Sequence, residues 1–122
     1  MPRRRPRAWA LLVLLAACGS DPANSSPPQA SDCPPDSILT WQSFAEPFLL
    51  NHCTGCHSSQ LPEGARAEAP LGVDFDTHEK TRSWLERIAS RSAGMNATMP
   101  PTDTVADEDR DRLAEWIACG AP

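Results

Sequence analysis

Residues 53–57 read Cys-Thr-Gly-Cys-His, and this stretch decides the fold that we expect. Two thiols three residues apart on one helical turn lie on the same side of it, and His57 follows directly. This spacing is the attachment signature of a covalent haem, whose vinyl groups bond to the thiols while the imidazole ligates the iron. We therefore predict one covalently attached haem c, bound by Cys53, Cys56 and His57.

Two other interpretations of the cysteine pair were weighed against haem attachment. A thioredoxin-like C-x-x-C site needs an adjacent strand–helix unit, and the sequence shows no convincing β-period. A zinc site needs a second pair of ligands at matching spacing, whereas Cys33 and Cys119 stand alone and far apart. Haem attachment is favoured over both.

The N-terminal segment has the pattern of an export signal. Four arginines lie within the first seven residues, and an apolar run of ten residues (8–17) follows them. Because this run is about half the length of a membrane-spanning helix, we predict a signal peptide at 1–17. Leu15-Ala16-Ala17-Cys18 resembles the lipobox of bacterial lipoproteins, which implies lipidation of Cys18. An ordinary signal peptide cut elsewhere is the alternative.

The segment 18–35 is rich in Pro and Ser and has no large apolar residue. It cannot bury enough surface to order itself, so we predict a flexible tether. From Cys18 onward, 7 Lys and Arg stand against 16 Asp and Glu, which gives a net charge of −9. An acidic chain with no basic stripe argues against binding of nucleic acid.

Apolar residues recur at helical spacing in three stretches of the remaining chain, 36–122. The predicted helices run from Thr40 to Asn51, from Thr77 to about Ser90 and from Val105 to Cys119, and each carries one Trp. We therefore predict a small all-α domain of three main helices and loops wrapped around one covalent haem. With three Trp, three Phe and no Tyr after the signal, the core is thin, and a cofactor or a disulfide should help to fill it.

The helix ends carry capping signals. Asp76 followed by Glu79 predicts a capping box for the second helix, and Thr104 with Asp107 predicts caps for the third. Pro47 lies inside the first apolar pattern, where it either kinks the helix or marks its true first turn.

A second haem ligand should come from a later loop. Met99-Pro100-Pro101 resembles the Met-Pro-Pro loop that supplies the sixth ligand in small class I cytochromes c, so we predict Met99 as the distal metal ligand. A thioether is a soft, neutral donor that raises the potential of haem iron. Met95 is the competitor, and His78 is a third candidate. His52 is interpreted as a surface or loop histidine that points away from the iron.

Taken together, the sequence resembles a class I-type monohaem cytochrome c domain of a bacterial lipoprotein. The resemblance covers Thr40 to Pro122 and rests on a Pro-containing helix, the C-T-G-C-H motif, the L-G-V-D-F-D stretch at 71–76, Met-Pro-Pro, and a terminal helix with Trp116-Ile117. It implies that the first and last helices cross near one haem edge, with Phe44 and Trp116 as haem contacts. Arg66 and Lys80 are expected either to pair with the haem propionates or to be surface cations.

Two cysteines remain after the lipid and haem assignments, and they are not general features of the family. Cys33 precedes the first helix and Cys119 ends the last. Because the resemblance implies that these helices cross and export implies an oxidising compartment, we expect a Cys33–Cys119 disulfide. Two unpaired buried thiols are the alternative.

The resemblance implies a single-electron carrier rather than an enzyme, although the chain could be a subunit of an oxidoreductase complex. We expect a monomer attached by lipid to a periplasm-facing membrane, inner or outer. Its acidic charge favours redox partners, both donors and acceptors, with basic docking faces. The alternatives are a haem-based sensor or gas-binding lipoprotein and an electron-accepting subunit of a dehydrogenase complex.

Overall fold

A computed structural model describes residues 26–102 and 104–122 of the chain. Within these ranges the protein forms four α-helices and no strand, which confirms the predicted all-α class. The helices are α1 (Glu46–His52), α2 (His78–Arg82), α3 (Leu85–Ser92) and α4 (Asp107–Ala118), and short 3-10 turns lie at Ala30–Asp32 and Glu63–Ala65. The expected signal peptide (1–17) and Cys18 lie outside the described residues. In the described part of the chain, no helix is long and apolar enough to cross a membrane.

The first helical run starts as a wide π-helical turn, Trp41–Ala45, and continues as α1. Thr40 caps it, because the Thr40 side chain accepts a hydrogen bond from the Ser43 backbone N–H while the Ser43 hydroxyl accepts one from the Thr40 N–H. Pro47 lies in the first turn of α1, directly after the π-helical turn, at a position where a helix tolerates proline. Of its two expected roles, Pro47 therefore takes the second.

The second predicted helix is broken into α2 and α3 at Ser83 and Trp84. The Ser83 hydroxyl bonds back to the Glu79 carbonyl, an interaction that competes with regular helix geometry. The break allows the Trp84 ring to line the central cavity. The predicted Asp76 cap is wrong: Thr77 caps α2 by accepting from the Lys80 N–H.

The last helix, α4, begins two residues later than predicted, at Asp107. Ala106 stands at the cap position with an extended backbone, and it makes no side-chain cap bond, so the expected capping by Thr104 or Asp107 is wrong. Val105 is buried in the core and Ala106 after it is extended, so the helix begins only at Asp107. Three acidic residues in the first turn of α4 still favour its positive dipole end.

The core lies between the first helical run and α4. Trp41 and Trp116 pack with ring centroids 6.4 Å apart, and the backbone N–H of Trp41 donates to the Pro122 carbonyl at 2.7 Å. Cys33 and Cys119 lie at disulfide distance, with their Cα atoms 4.8 Å apart, in agreement with the expected bridge. This pair joins the end of α4 to the segment that follows the Ala30–Asp32 turn.

Candidate functional site

One cavity of about 560 Å³ gathers most of the residues that the sequence singled out. Its floor and walls come from the end of α1, the loop 58–75, α3 and the loop 93–102. The lining is predominantly apolar and comprises His52, Cys53, Cys56, His57, Ala67, Glu68, Ala69, Pro70, Val73, Phe75, Trp84, Arg87, Ile88, Arg91, Ser92, Met99, Pro100 and Pro101. This volume falls within the range of cofactor pockets, about 300–1,000 Å³.

The two cysteines enter the cavity from the C-terminal end of α1. Cys53 caps the helix, and its N–H donates to Leu49 at 2.8 Å. The chain then closes a tight turn, since the N–H groups of Cys56 and His57 both donate to the Cys53 carbonyl, at 3.1 and 2.9 Å. The C-x-x-C-H residues therefore face one space, as the spacing predicts.

Both thiols are free of any disulfide. Burial raises the pKa of the Cys53 thiol to about 12, and the positive charge of Arg110 offsets only part of that rise. Such a thiol is protonated at neutral pH, which makes it a poor partner in thiol–disulfide exchange. The environment of Cys53 therefore disfavours a thioredoxin-like role.

The His57 ring is fixed in a single orientation. Its Nδ1 lies 3.0 Å from the Val73 carbonyl oxygen, and its face stacks on Phe75 at a centroid distance of 4.8 Å. Because a carbonyl can only accept, Nδ1 is the donor of this hydrogen bond, and Nε2 is the ring nitrogen left to bind a ligand. His57 thus has the tautomer and the outer-shell partner that are typical of a metal-ligating histidine.

Arg66 holds the loop that carries Val73. The guanidinium is 1% exposed and donates to the carbonyls of Ser58, Ala69, Pro70 and Val73, and it forms an ion pair with Asp74 at 2.7 Å. All of these contacts lie within 58–74. Arg66 is therefore neither a surface cation nor available for a haem carboxylate.

Lys80 also has protein partners. Its ammonium group donates to the Ser59 hydroxyl at 2.7 Å and lies 3.5 Å from the Asp76 carboxylate. Lys80 does not line the cavity. Of its two expected roles, the surface cation is the one that fits these contacts.

Met99 lines the same cavity from a loop that lies 42 residues after His57 in the chain. Its backbone is tied at both ends, since its N–H donates to the Arg91 carbonyl and its carbonyl accepts from Arg110, each at 2.9 Å. The side chain is 39% exposed. Met95, in contrast, is 71% exposed and lines a different cleft, so the cavity geometry favours Met99 over Met95 as a ligand.

Arg110 is the residue of this site that sequence reasoning missed. It is 1% exposed and donates to the carbonyls of Ser92, Asn96 and Met99, at 3.0, 3.3 and 2.9 Å. In the sequence it stands in a charged run, Asp107 to Arg112, where every residue resembles a solvated one. The apolar spacing of Leu113 and Trp116 is the one signal that places Arg110 on the buried face of α4.

The other two histidines lie differently. His78 stacks on Trp41 at 5.0 Å, its Nε2 lies 2.8 Å from the Ala121 carbonyl, and it does not line the cavity. It is therefore not placed to act as a distal ligand. His52 lines the cavity next to Cys53, and its ring packs on Phe48 at 5.0 Å.

The residues present fit a haem, with two differences from the expected contacts. Phe44 and Trp116 are buried in the core and do not line the cavity, so Phe75 and Trp84 are its aromatic wall instead. Arg87 and Arg91 line the cavity one α3 turn apart. Arg87 and Arg91, rather than Arg66 or Lys80, are the arginine and lysine side chains that line the cavity.

Searches against protein-family models, curated proteins and solved structures find no match to this chain. Among residues 26–102 and 104–122, no group of three or more His, Cys, Asp or Glu side chains is arranged to hold a metal ion. The site brings together two thiols, one oriented imidazole and one thioether at a single apolar cavity.

Proposed function

We propose that this protein is an exported, lipid-anchored monohaem c-type cytochrome that transfers single electrons between redox partners. One observation carries the proposal: Cys53, Cys56, His57 and Met99, which are separated by up to 46 residues, line one apolar cavity. The export signal and the lipid anchor rest on the sequence pattern at 1–18.

A covalently bound haem supplies a one-electron redox centre. Cys53 and Cys56 would hold it through thioether bonds, and His57 Nε2 and the Met99 sulfur would ligate its iron. Arg87 and Arg91 would bind its carboxylates, since they are the cations of the lining. Phe75, Trp84 and Ile88 would pack against it as an apolar wall.

Electron transfer is favoured over catalysis by the way the ligand loops are fixed. His57 is held through Nδ1 and Met99 through both backbone groups, so both ligands can stay in place while charge changes. Small reorganisation on electron transfer is what a carrier needs. A net charge of −9 favours partners with basic docking faces and an association rate that falls with added salt.

A sensor or gas-binding role has one observation in its favour, the 39% exposure of the Met99 side chain. An exposed thioether could be displaced by a small ligand. Binding of carbon monoxide to the reduced protein separates the two functions, because a carrier with both ligands retained binds it poorly whereas a sensor binds it rapidly.

The first experiment tests attachment. The full chain is produced in a bacterial host that matures c-type cytochromes, and haem that stays with the denatured polypeptide is measured per chain. We expect one haem in the wild type and none when Cys53→Ala and Cys56→Ala are combined. Cys33→Ser with Cys119→Ser is the matched control and should keep one haem per chain. A wild-type chain without covalent haem would falsify the proposal.

The second experiment tests the distal ligand. In the oxidised protein, the methionine–iron charge-transfer band should disappear in Met99→Ala and persist in Met95→Ala. Loss of the band in Met95→Ala with its retention in Met99→Ala would reverse the ligand assignment.

A further inference from the structure

The carbonyl oxygen of Val73 accepts from two groups at once. His57 Nδ1 lies 3.0 Å from it, and Arg66 Nη2 donates to it at 3.1 Å through one of two N–H groups that also serve the Pro70 carbonyl at 2.9 Å and the Asp74 carboxylate at 2.7 Å. A carbonyl oxygen has two lone pairs, so both bonds can form together. The outer-shell partner of His57 is thus shared with a buried cation.

The position of Arg66 makes this sharing persistent. Its side chain is 1% exposed, and the Asp74 carboxylate, 2.7 Å from Nη2, fixes the guanidinium in place. A planar guanidinium can serve several acceptors in fixed directions, which an ammonium group cannot do. The Val73 carbonyl therefore accepts from a buried guanidinium whose positive charge is balanced by the Asp74 carboxylate.

A cation that donates to a carbonyl draws electron density from it and makes it a weaker acceptor for the second donor. The His57 Nδ1–H bond is then weaker, and the imidazole is less basic at Nε2. In metal sites, the outer-shell hydrogen bond of a histidine tunes its strength as a ligand in this way. A weaker imidazole donor favours the less positive oxidation state of a bound iron.

We propose that Arg66 is a positioning residue that sets the orientation and donor strength of His57 through the shared Val73 carbonyl, and so raises the reduction potential of the site. This inference rests on the proposed haem function. It assigns to Arg66 a role distinct from carboxylate binding.

The test uses the haem-loaded protein and two substitutions with opposite expected signs. Arg66→Lys keeps the charge but loses the planar fork, so the His57 Nδ1–H bond strengthens and the potential falls. Asp74→Asn keeps an acceptor for Arg66 but removes the neutralising charge, so the potential rises. We expect a change of about tenfold in the reduction equilibrium constant in each direction, about 59 mV for one electron.

A second readout is the proton resonance of His57 Nδ1–H in the reduced protein. It should move downfield in Arg66→Lys and upfield in Asp74→Asn, as the hydrogen bond strengthens and weakens. Matched controls are Arg82→Lys, whose guanidinium donates to the Gly120 and Ala121 carbonyls away from the cavity, and Asp109→Asn, whose carboxylate pairs with Arg112 near the surface of α4. Both controls should leave potential and resonance unchanged.

The outcomes separate the two proposals. Opposite shifts in the two variants support the role of Arg66, whereas shifts in one direction, or changes below twofold, overturn it and leave the haem function standing. If Arg66→Lys does not accumulate as folded protein, Asp74→Asn decides through the His57 Nδ1–H resonance. An upfield shift together with a higher potential supports the role, whereas a higher potential with an unchanged resonance, or an unchanged or lower potential, overturns it. A wild-type chain without covalent haem overturns both proposals.

Discussion

The loop that presents His57 and the loop that presents Met99 are each held by one buried arginine, but the two arginines come from different places. Arg66 belongs to the loop that it holds, and every partner that it binds lies within eight residues of it. Arg110 belongs to α4 and reaches carbonyls 11 to 18 residues away. The His57 loop is therefore held by an arginine of its own, whereas the Met99 loop is held by an arginine of α4.

This difference has a consequence for ligand stability. The His57 side can keep its geometry as long as the segment 58–74 stays closed around Arg66. The Met99 side depends on the docking of α4, which involves the core, the Cys33–Cys119 pair and the N-terminal turn. We expect perturbations of α4 to release Met99 well before they disturb His57.

Removal of the disulfide should give the largest change in stability. Cys33→Ser with Cys119→Ser opens a link across 86 residues, and the chain-entropy treatment gives a loss of about 4 kcal/mol in the free energy of unfolding. Urea unfolding of the haem-loaded protein measures it. Because the Met99 loop depends on the docking of α4, the methionine–iron band should also weaken at a lower urea concentration than the absorption bands that report His57 ligation.

Reduction of the wild-type disulfide with a thiol reagent is the control for stability, because it should reproduce the urea midpoint of the double variant. The charge-transfer band is read in the oxidised double variant alone, since the reagent also reduces the iron. Simultaneous loss of both ligand signals would contradict the unequal support of the two loops.

Removal of the Arg110 guanidinium ranks next. Arg110→Met leaves three carbonyls without their donor, one of them buried and two partly buried, and we expect a loss of about 3 kcal/mol in unfolding free energy together with loss of Met99 ligation. Denaturation midpoints and the charge-transfer band report the two effects. His57 ligation should persist.

Arg112→Met is the matched control on the same helix. Arg112 stacks over the Phe44 ring at 4.7 Å and pairs with Asp109 near the surface, so its removal should change stability by about 1 kcal/mol at most. Equal losses of unfolding free energy and of the charge-transfer band in Arg110→Met and Arg112→Met would show that Arg110 does not specifically hold the Met99 loop.

The contrast between the two loops also explains what the sequence could predict. The C-x-x-C-H turn is local, so spacing alone was enough to put Cys53, Cys56 and His57 on one cavity. Met99 was found because its neighbouring prolines form a motif. The sequence does not predict that Arg66 and Arg110 support these loops. Each is buried because backbone carbonyls around it point inward, and residue types in a charged run or a Gly-rich loop do not indicate where carbonyls point.

Helix boundaries show the same limit. The apolar period placed all three helical regions, but it continued through Trp84, where the chain breaks so that the indole can line the cavity. Caps at Asp76 and Thr104 were predicted from residue type, whereas tertiary contacts assign Asp76 to Ser59 and bury Val105. Local signals therefore predict that an element exists, and tertiary packing determines where it ends.

The smallest expected effect concerns Asp76, which ties the start of the His57 loop to α2. Its carboxylate accepts from the Ser59 N–H and hydroxyl, each at 2.8 Å, and lies 3.5 Å from the Lys80 ammonium. Partial burial acts to raise the pKa of Asp76, but the hydrogen bonds from Ser58 and Ser59 and the charge of Lys80 outweigh it and lower the pKa to about 2.

Because the folded pKa lies below the ordinary value of 3.8, the folded state favours the carboxylate form of Asp76. Its contribution to stability is fully present above about pH 4 and is lost as pH falls toward 2. We expect Asp76→Asn to lower the free energy of unfolding by about 1 kcal/mol at pH 7, since solvent screens the pair with Lys80. Unfolding curves of wild type and variant measured from pH 7 down to pH 2 should converge at the acid end. A stability difference that stays constant over that range would show that Asp76 acts through packing rather than charge. Contacts other than those of the Asp76 carboxylate would then attach the His57 loop to α2.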